Sequence, residues 1–435
     1  MISNGTLKTL YTLKDAGYEA YMVGGGVRDL LAGIEPKDFD VATNAHPEQV
    51  KPLFRSCRLV GRRFVICHVR FGDEIVETTT FRGPITDLHK RDETGRILSD
   101  NEYGTLEQDA FRRDFTINAL YYDIRDYSIV DYSTGIEDMK QGVIRLIGDP
   151  ELRYREDPVR MLRAIRIANK LRFRIEEATA APIARLAPLL KEIPAARLFD
   201  EVLKLLLSRD AEDNLYGLRV YGLFRQLFPM LDRLLGQADK LKFVNMALRN
   251  TAERIDADLP VSPAFLYASL LWPAVEVRAK ELQAEQACEA IPAIQQAGEE
   301  VIGRTLACVA IPKRFSLPMR DIWDMQPRFE QTSSSRARRL MTHPKFRAAY
   351  DFLLVRANSS GDESLLQLAN WWTEAQKGGD LPPPPADDVD ENETTAASED
   401  LPQRKRRRRR GGRNRRSGTS HQDGEASSAD SAESL

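Results

Sequence analysis

Cysteine is scarce: four in 435 residues, at positions 57, 67, 288 and 308, with no C-x-x-C pair among them. That spacing excludes a finger-type zinc module and a disulfide scaffold, and it suits a reducing compartment. No run of 18 apolar residues occurs, and the N-terminus lacks the basic-then-apolar order of a secretory leader. The expectation is a cytoplasmic protein with no membrane segment. Histidine is sparse too, at five (His46, His68, His89, His343, His421), and no Ser-His-Asp grouping is legible, so covalent nucleophilic catalysis is unsupported. His68, within a strand, reads as structural. Net charge is almost absent at −2, which argues against a nucleic-acid coat protein, yet the sum conceals a block of each sign near the C-terminus.

What is present is enough apolar material, 42% of 49.3 kDa, to supply the cores of two or three domains. Leu7, Leu10, Tyr11 and Leu13 recur at helical spacing and Gly17 follows as a stop, so the chain opens on a short amphipathic helix. The runs YEAYMVGGG, FDVAT, RFVICHVRF, EIVETTTF, TINALYYDI and SIVDY are short, β-branched or aromatic, and bounded by Gly, Pro or charge, as strands are. From Glu151 the texture turns helical: PVRMLRAIRIANKLRF, IARLAPLLKEI and RLFDEVLKLLLSRD carry apolar residues three and four apart. The expected architecture is α+β: a mixed head (1–150), a helical neck (151–235), a helical body (236–377) and a disordered tail (378–435). That tail runs from PPPP through an acidic stretch to an arginine-rich one, a composition that cannot bury enough apolar surface to order itself.

The chemistry-bearing residues lie in the head. Gly24-Gly25-Gly26-Val27-Arg28-Asp29 follows a strand and opens a helix, an arrangement whose bare amides suit a triphosphate. It is neither a dinucleotide fingerprint, since Asp29 stands at the third glycine position, nor a Walker loop, since G-K-[ST] is missing. Further on stands Asp38-Phe39-Asp40. If the segment is a strand, both carboxylates share one face, their backbones about 6.6 Å apart, while Phe39 turns inward. Paired carboxylates repel, and divalent ions relieve the repulsion; two such ions are a standard device for in-line attack at phosphorus.

These two motifs are followed by Arg112-Arg113-Asp114-Phe115-Thr116-Ile117-Asn118-Ala119, similar to an R-R-D-x-x-x-N-A motif, and by Glu156-Asp157-Pro158-Val159-Arg160, similar to E-D-x-x-R. In this order, over roughly residues 18 to 175, they resemble the tRNA nucleotidyltransferase/poly(A) polymerase family of the DNA polymerase β superfamily. The resemblance implies a polymerase-β-like nucleotidyltransferase head. Asp38 and Asp40 are implied as ligands of two Mg²⁺ ions, with ATP as substrate, and Gly25, Gly26, Arg28 and Arg113 as contacts of the triphosphate. Asp114 is implied as a further catalytic carboxylate and, with Asn118, lies where the family handles the ribose. Asp157 and Arg160, three apart on what reads as one helix, are candidates for the base edge, or else form a salt bridge at the helix N-terminus. Glu77, on a strand beside the metal pair, rivals Asp114 as third carboxylate; it reads equally well as an ion partner of Arg82 or Arg70.

Two features favour the polyadenylating members over the CCA-adding ones. Leu59-Val60-Gly61-Arg62-Arg63-Phe64-Val65-Ile66-Cys67-His68-Val69 resembles the segment that marks the former, with paired arginines and an aromatic before a strand. The tail, with Arg406, Arg407, Arg408, Arg409 and Arg410 at its centre, suits sequence-independent contact with RNA phosphates. The implied partners are RNA 3′ ends, of mRNA and small RNAs, and proteins of RNA decay.

Overall fold

Ser3 accepts a hydrogen bond from the Thr6 amide and caps α1 (Asn4–Asp15), which ends before Gly17 at φ 85°. The computed structural model describes residues 2–61, 64–84, 102–377 and 381–382. Leu10 and Leu13 of α1 are fully buried against the sheet behind it, each stabilising the fold by about 1.5–3 kcal/mol. That sheet has seven strands: β1 (Ala20–Val23), β2 (Asp40–Thr43), β3 (Cys57–Val60), β4 (Ile66–Phe71), β5 (Glu74–Thr80), β6 (Leu120–Asp123) and β7 (Ile129–Asp131), in the order β3-β4-β5-β2-β1-β6-β7. All neighbours are antiparallel except β2 and β5, which run parallel with Asp40 opposite Glu77.

Each strand sends alternate residues to opposite layers. Met22 and Val41 join the core under α1, while Tyr21, Val23 and Ala42 join Phe81, Leu106, Ala110 and Tyr121 on the other face. Between the strands lie α2 (Gly25–Leu31), the single turn α3 (Pro47–Val50) and α4 (Leu106–Arg112), the last closed by a Thr105–Gln108 capping box. Two departures from the sequence reading have local causes. TINALYYDI is not one strand: Thr116–Asn118 form a 3₁₀ turn, and pairing begins only at Leu120, opposite Asp131. β3 was hidden, because half its residues are exposed on the sheet edge and only Cys57 and Leu59 pack inward.

Beyond β7 come α5 (Gly135–Gln141), the short β8 (Val143–Ile144), α6 (Pro150–Glu156) and α7 (Val159–Leu171). β9 (Arg174–Ile175) returns to pair in parallel with β8, a small sheet within an otherwise helical half. α7 buries one stripe, from Val159 through Leu162, Ile165 and Ala168, in a core continuous with the helices Ala195–Leu206, Ala238–Asp256 and Pro263–Gln286. The last helices, Ser334–Met341, Phe346–Ser360 and Glu363–Ala375, close a separate core around Phe329, Phe346 and Trp372. No helix among the described residues is long and apolar enough to cross a membrane.

Candidate active site

The end of β1 sets the geometry. After Val23 the chain turns at Gly24, with φ 77° and ψ −134°, a conformation an L side chain adopts only under strain, and α2 starts at once. A Cβ on Gly24 would lie 3.4 Å from Nη1 of Arg113 and 3.7 Å from Oδ2 of Asp40, so loop, guanidinium and carboxylate converge on this point. Gly26 is needed for a different reason: a Cβ there would stand 3.0 Å from Cδ1 of Phe39 and 3.4 Å from the carbonyl of Asp38. The glycine pair thus lets α2 approach both Arg113 and the segment that carries Asp38 and Asp40.

Asp40 opens β2, and Asp38 lies in the exposed segment just before it, outside the paired strand. The reason is the pairing partner: Val23 opposite Asp40 is the last residue of β1, and Gly24 then carries that strand away. The two carboxylates are nonetheless neighbours. Burial first, then the negative charges of Glu77 and Asp38, push the Asp40 carboxyl up to about 6 against the pull of Arg113 and Arg163. The side chain of neither Asp38 nor Asp40 makes a hydrogen bond or ion pair with another described residue. Crowded carboxylate charge without a bonded protein cation fits a divalent ion. No group of three or more potential ligands is assembled among the described residues; Mg²⁺ commonly takes only one or two carboxylates and completes its shell with water and substrate phosphates. Glu77 is not bound to Arg82 or Arg70; its Oε1 lies 3.6 Å from Nε2 of His68, a neighbour the sequence reading did not propose.

Arg113 is held rigidly beside this point. Its Nε and Nη2 donate to Oδ2 of Asp109 (3.2 and 2.9 Å), Nε also donates to the Tyr121 hydroxyl (2.9 Å), and the guanidinium sits 5.0 Å over the Tyr121 ring. Asp109 accepts in addition from Tyr121 Oη (2.6 Å) and Arg82 Nε (3.0 Å). Burial alone would raise the Asp109 carboxyl, but the guanidiniums of Arg113 and Arg82 outweigh it and hold it well below the usual carboxylate range.

Asp114 is placed differently from Asp40. Its Oδ1 accepts from the Phe115 amide and Asn118 Nδ2 (both 2.9 Å), and its Oδ2 from Arg163 Nε (2.6 Å), so both oxygens are engaged by the chain itself. Burial opposes its ionisation, and Arg163 with these hydrogen bonds more than reverses that. Asn118 in turn accepts from Arg28 Nη1 at 2.6 Å. Asp157 and Arg160 do not share one helix as the spacing suggested: α6 stops at Glu156, and Pro158, unable to donate an amide, separates it from α7. Oδ2 of Asp157 accepts from Arg197 (2.7 Å), while Nη1 of Arg160 donates to Glu156 and to the Arg153 carbonyl (both 2.7 Å). Arg62 and Arg63 and the tail arginines Arg406–Arg410 lie outside the described residues. Sequence reasoning missed Asp109, Arg163, Lys170 and Arg197; the signal for Asp109 was its position four before Arg113, which caps the end of α4.

The chain matches the family model "Poly A polymerase head domain" over residues 20–145, "Probable RNA and SrmB-binding site of polymerase A" over 172–235, and "Polymerase A arginine-rich C-terminus" over 286–413. It is 49% identical over 384 residues to poly(A) polymerase I of Salmonella typhi, covering 86% of this chain and 83% of that protein. With a CCA-adding enzyme of Lactobacillus helveticus it shares 42% over 201 residues, 46% of this chain and 49% of the other. A solved structure of a tRNA-processing enzyme with CTP superposes with a TM-score of 0.58 at 23% identity, covering 86% of this chain and 93% of that one, which shows a common fold.

Proposed function

The chain belongs to the poly(A) polymerase I family, polynucleotide adenylyltransferases that add AMP to RNA 3′ ends, and on that premise we propose how its own residues carry the reaction. The 3′ oxygen of the RNA bonds to the α-phosphorus of ATP, the bond to the β-phosphate breaks, and pyrophosphate leaves. What supports this reading is the convergence of the Gly24 turn, the Asp40 carboxylate and the Arg113 guanidinium within 4 Å of one point.

Asp38 and Asp40 would hold Mg²⁺, two ions in the reading proposed here. Bound there, Mg²⁺ lowers the pKa of the attacking hydroxyl and neutralises charge on the phosphates. The positively biased start of α2, together with Arg28 and Arg113, receives the triphosphate, and Arg113 answers the charge that builds on the departing pyrophosphate. Arg113 cannot swing to follow its ligand, because Asp109 and Tyr121 fix it; its value lies in being set before ATP arrives. Asp157 and Arg160, at the joint between α6 and α7, lie at the entry of the neck and are assigned to the adenine edge. In this scheme residues 1–150 do the chemistry, 151–235 read the nucleotide, and 236–377 with the tail arginines Arg406–Arg410 carry RNA, in the service of RNA processing and decay and of contacts with decay proteins.

The choice of adenylate over CCA is carried by identity that extends across 86% of the chain for poly(A) polymerase I but 46% for the CCA-adding enzyme. It is tested by offering each nucleotide singly with an unstructured RNA primer and with a tRNA lacking its CCA end. A ladder of A on the plain primer is expected. Addition of C, C and A confined to the tRNA would overturn the assignment.

A further inference from the structure

Two residues of α7 reach back to the head from the same side of the helix. Arg163 and Lys170 are seven apart, hence two turns and about 10.5 Å along one face. Arg163 Nε donates to Oδ2 of Asp114 at 2.6 Å, and Lys170 Nζ donates to Oδ2 of Asp29 at 2.6 Å. Between these ends the head supplies an unbroken chain. Asp114 Oδ1 accepts from Asn118 Nδ2 (2.9 Å), Asn118 Oδ1 accepts from Arg28 Nη1 (2.6 Å), and Arg28 Nε and Nη2 donate to Oδ1 of Asp29 (2.9 and 2.6 Å). The six side chains close a ring that leaves the helix at residue 163 and rejoins it at residue 170.

Arg28 is the member of this ring next to the glycine turn: its Nη2 is 3.5 Å from where a Cβ on Gly25 would stand. Three hydrogen bonds tie the guanidinium to Asp29 and Asn118, which fixes its plane and leaves its other N–H groups beside the Gly25 backbone. How strongly Arg28 attracts a phosphate then depends on Asp29, a carboxylate buried against it. Lys170 shares that carboxylate. With Lys170 in place one oxygen of Asp29 answers to lysine; without it, the whole carboxylate charge falls on Arg28 and competes with any phosphate for the guanidinium.

We propose that α7 is a clamp on the triphosphate grip, and that Lys170 is a positioning residue that acts through Asp29 on Arg28. The proposal rests on the assignment of the Gly24–Arg28 segment as the triphosphate site. It assigns to the neck helix a part in binding phosphate as well as base, because one rigid element holds both the R-R-D segment and the G-G-G-V-R-D segment in register.

Lys170 is well suited to a test, since its side chain is 33% exposed and substitution leaves no cavity in the core. The experiment uses the full chain, with steady-state AMP addition to an RNA primer measured for wild type, Lys170→Met, Lys170→Gln and Lys170→Arg. Because phosphate contacts are made in ground and transition states alike, the loss falls on KM: Lys170→Met should raise KM for ATP about tenfold with kcat and KM for RNA changed little. Lys170→Arg, which keeps the charge, should restore most of it, and Lys170→Gln should lie between. An unchanged KM for ATP in Lys170→Met overturns the clamp, as does an equal rise in KM for ATP and RNA with a lower melting temperature, which marks a merely structural role. Should Lys170→Met be poorly folded, the same criteria apply to Lys170→Gln. A wild-type chain that incorporates no AMP would instead sink the assigned activity, so the two failures are told apart.

Discussion

Replacing Gly26 by alanine sets helix propensity against catalytic geometry. Gly26 is the second residue of α2 and its φ is not positive, so alanine meets no backbone strain there, and the substitution favours the helix by up to about 1 kcal/mol. The new Cβ, however, would stand 3.0 Å from Cδ1 of Phe39. Ordinary carbon contacts are near 3.5 Å or more, so Phe39 must retreat by about 0.5 Å. Phe39 is partly held by the core under α1, and the residues on either side of it are Asp38 and Asp40. The displacement is therefore passed to both carboxylates. Since a 1 Å misplacement of a reacting group costs about 10²-fold, a shift of half that size should lower kcat about tenfold. Initial rates of AMP incorporation at saturating ATP and RNA, beside a thermal melt, give both numbers. A kcat within about twofold of wild type in a folded Gly26→Ala protein would refute the claim that the glycine sets the carboxylates.

Asp38→Asn and Asp40→Asn should each abolish nucleotide addition while the melting temperature holds, because neither carboxylate is bonded within the described chain; near-normal turnover with Mg²⁺ in either would end the metal assignment. Asp109→Asn should destabilise the protein by about 3–5 kcal/mol, since it leaves Arg113 and Arg82 without their buried partner, and a melt read at pH 7 measures it. The same residue sets a pH dependence: its folded pKa is depressed below the unfolded one, so its contribution is complete above about pH 4 and is lost as pH falls further, and the variant should flatten the acid limb of the stability curve. Removal of residues 378–435 should weaken RNA binding without stopping catalysis. Ten of the thirteen residues from Arg404 to Arg416 are basic, and each RNA phosphate that the shortened protein no longer neutralises should make the slope of log affinity against log salt shallower by about 0.7; equal slopes for the two proteins would remove the tail from RNA binding.

Much of the head was legible from its sequence because strand punctuation there is strong: the runs around Ala20–Val23, Asp40–Thr43 and Glu74–Thr80 are β-rich and bounded by glycine, proline or charge. The candidate residues Gly24, Asp40 and Arg113 are indeed brought together. What the sequence did not disclose depends on partners far along the chain. Whether Asp114 is an open carboxylate or a bonded one is decided by Arg163, and whether Asp157 and Arg160 share a helix is decided by one proline between them. Register sets a further limit: β1 ends at Val23, so the ladder stops at Asp40 and Asp38 stands outside it.

The bonds that run from α7 back to the head also bear on the order in which the protein becomes competent during synthesis. Every strand of the seven is complete by Asp131, yet Asp114 and Asp29 acquire their cationic partners on α7 only with Arg163 and Lys170. As a chain leaves the ribosome N-terminal part first, a finished sheet precedes a finished grip. A nascent head that has folded around Asp40 still carries two carboxylates whose partners on α7 have yet to emerge.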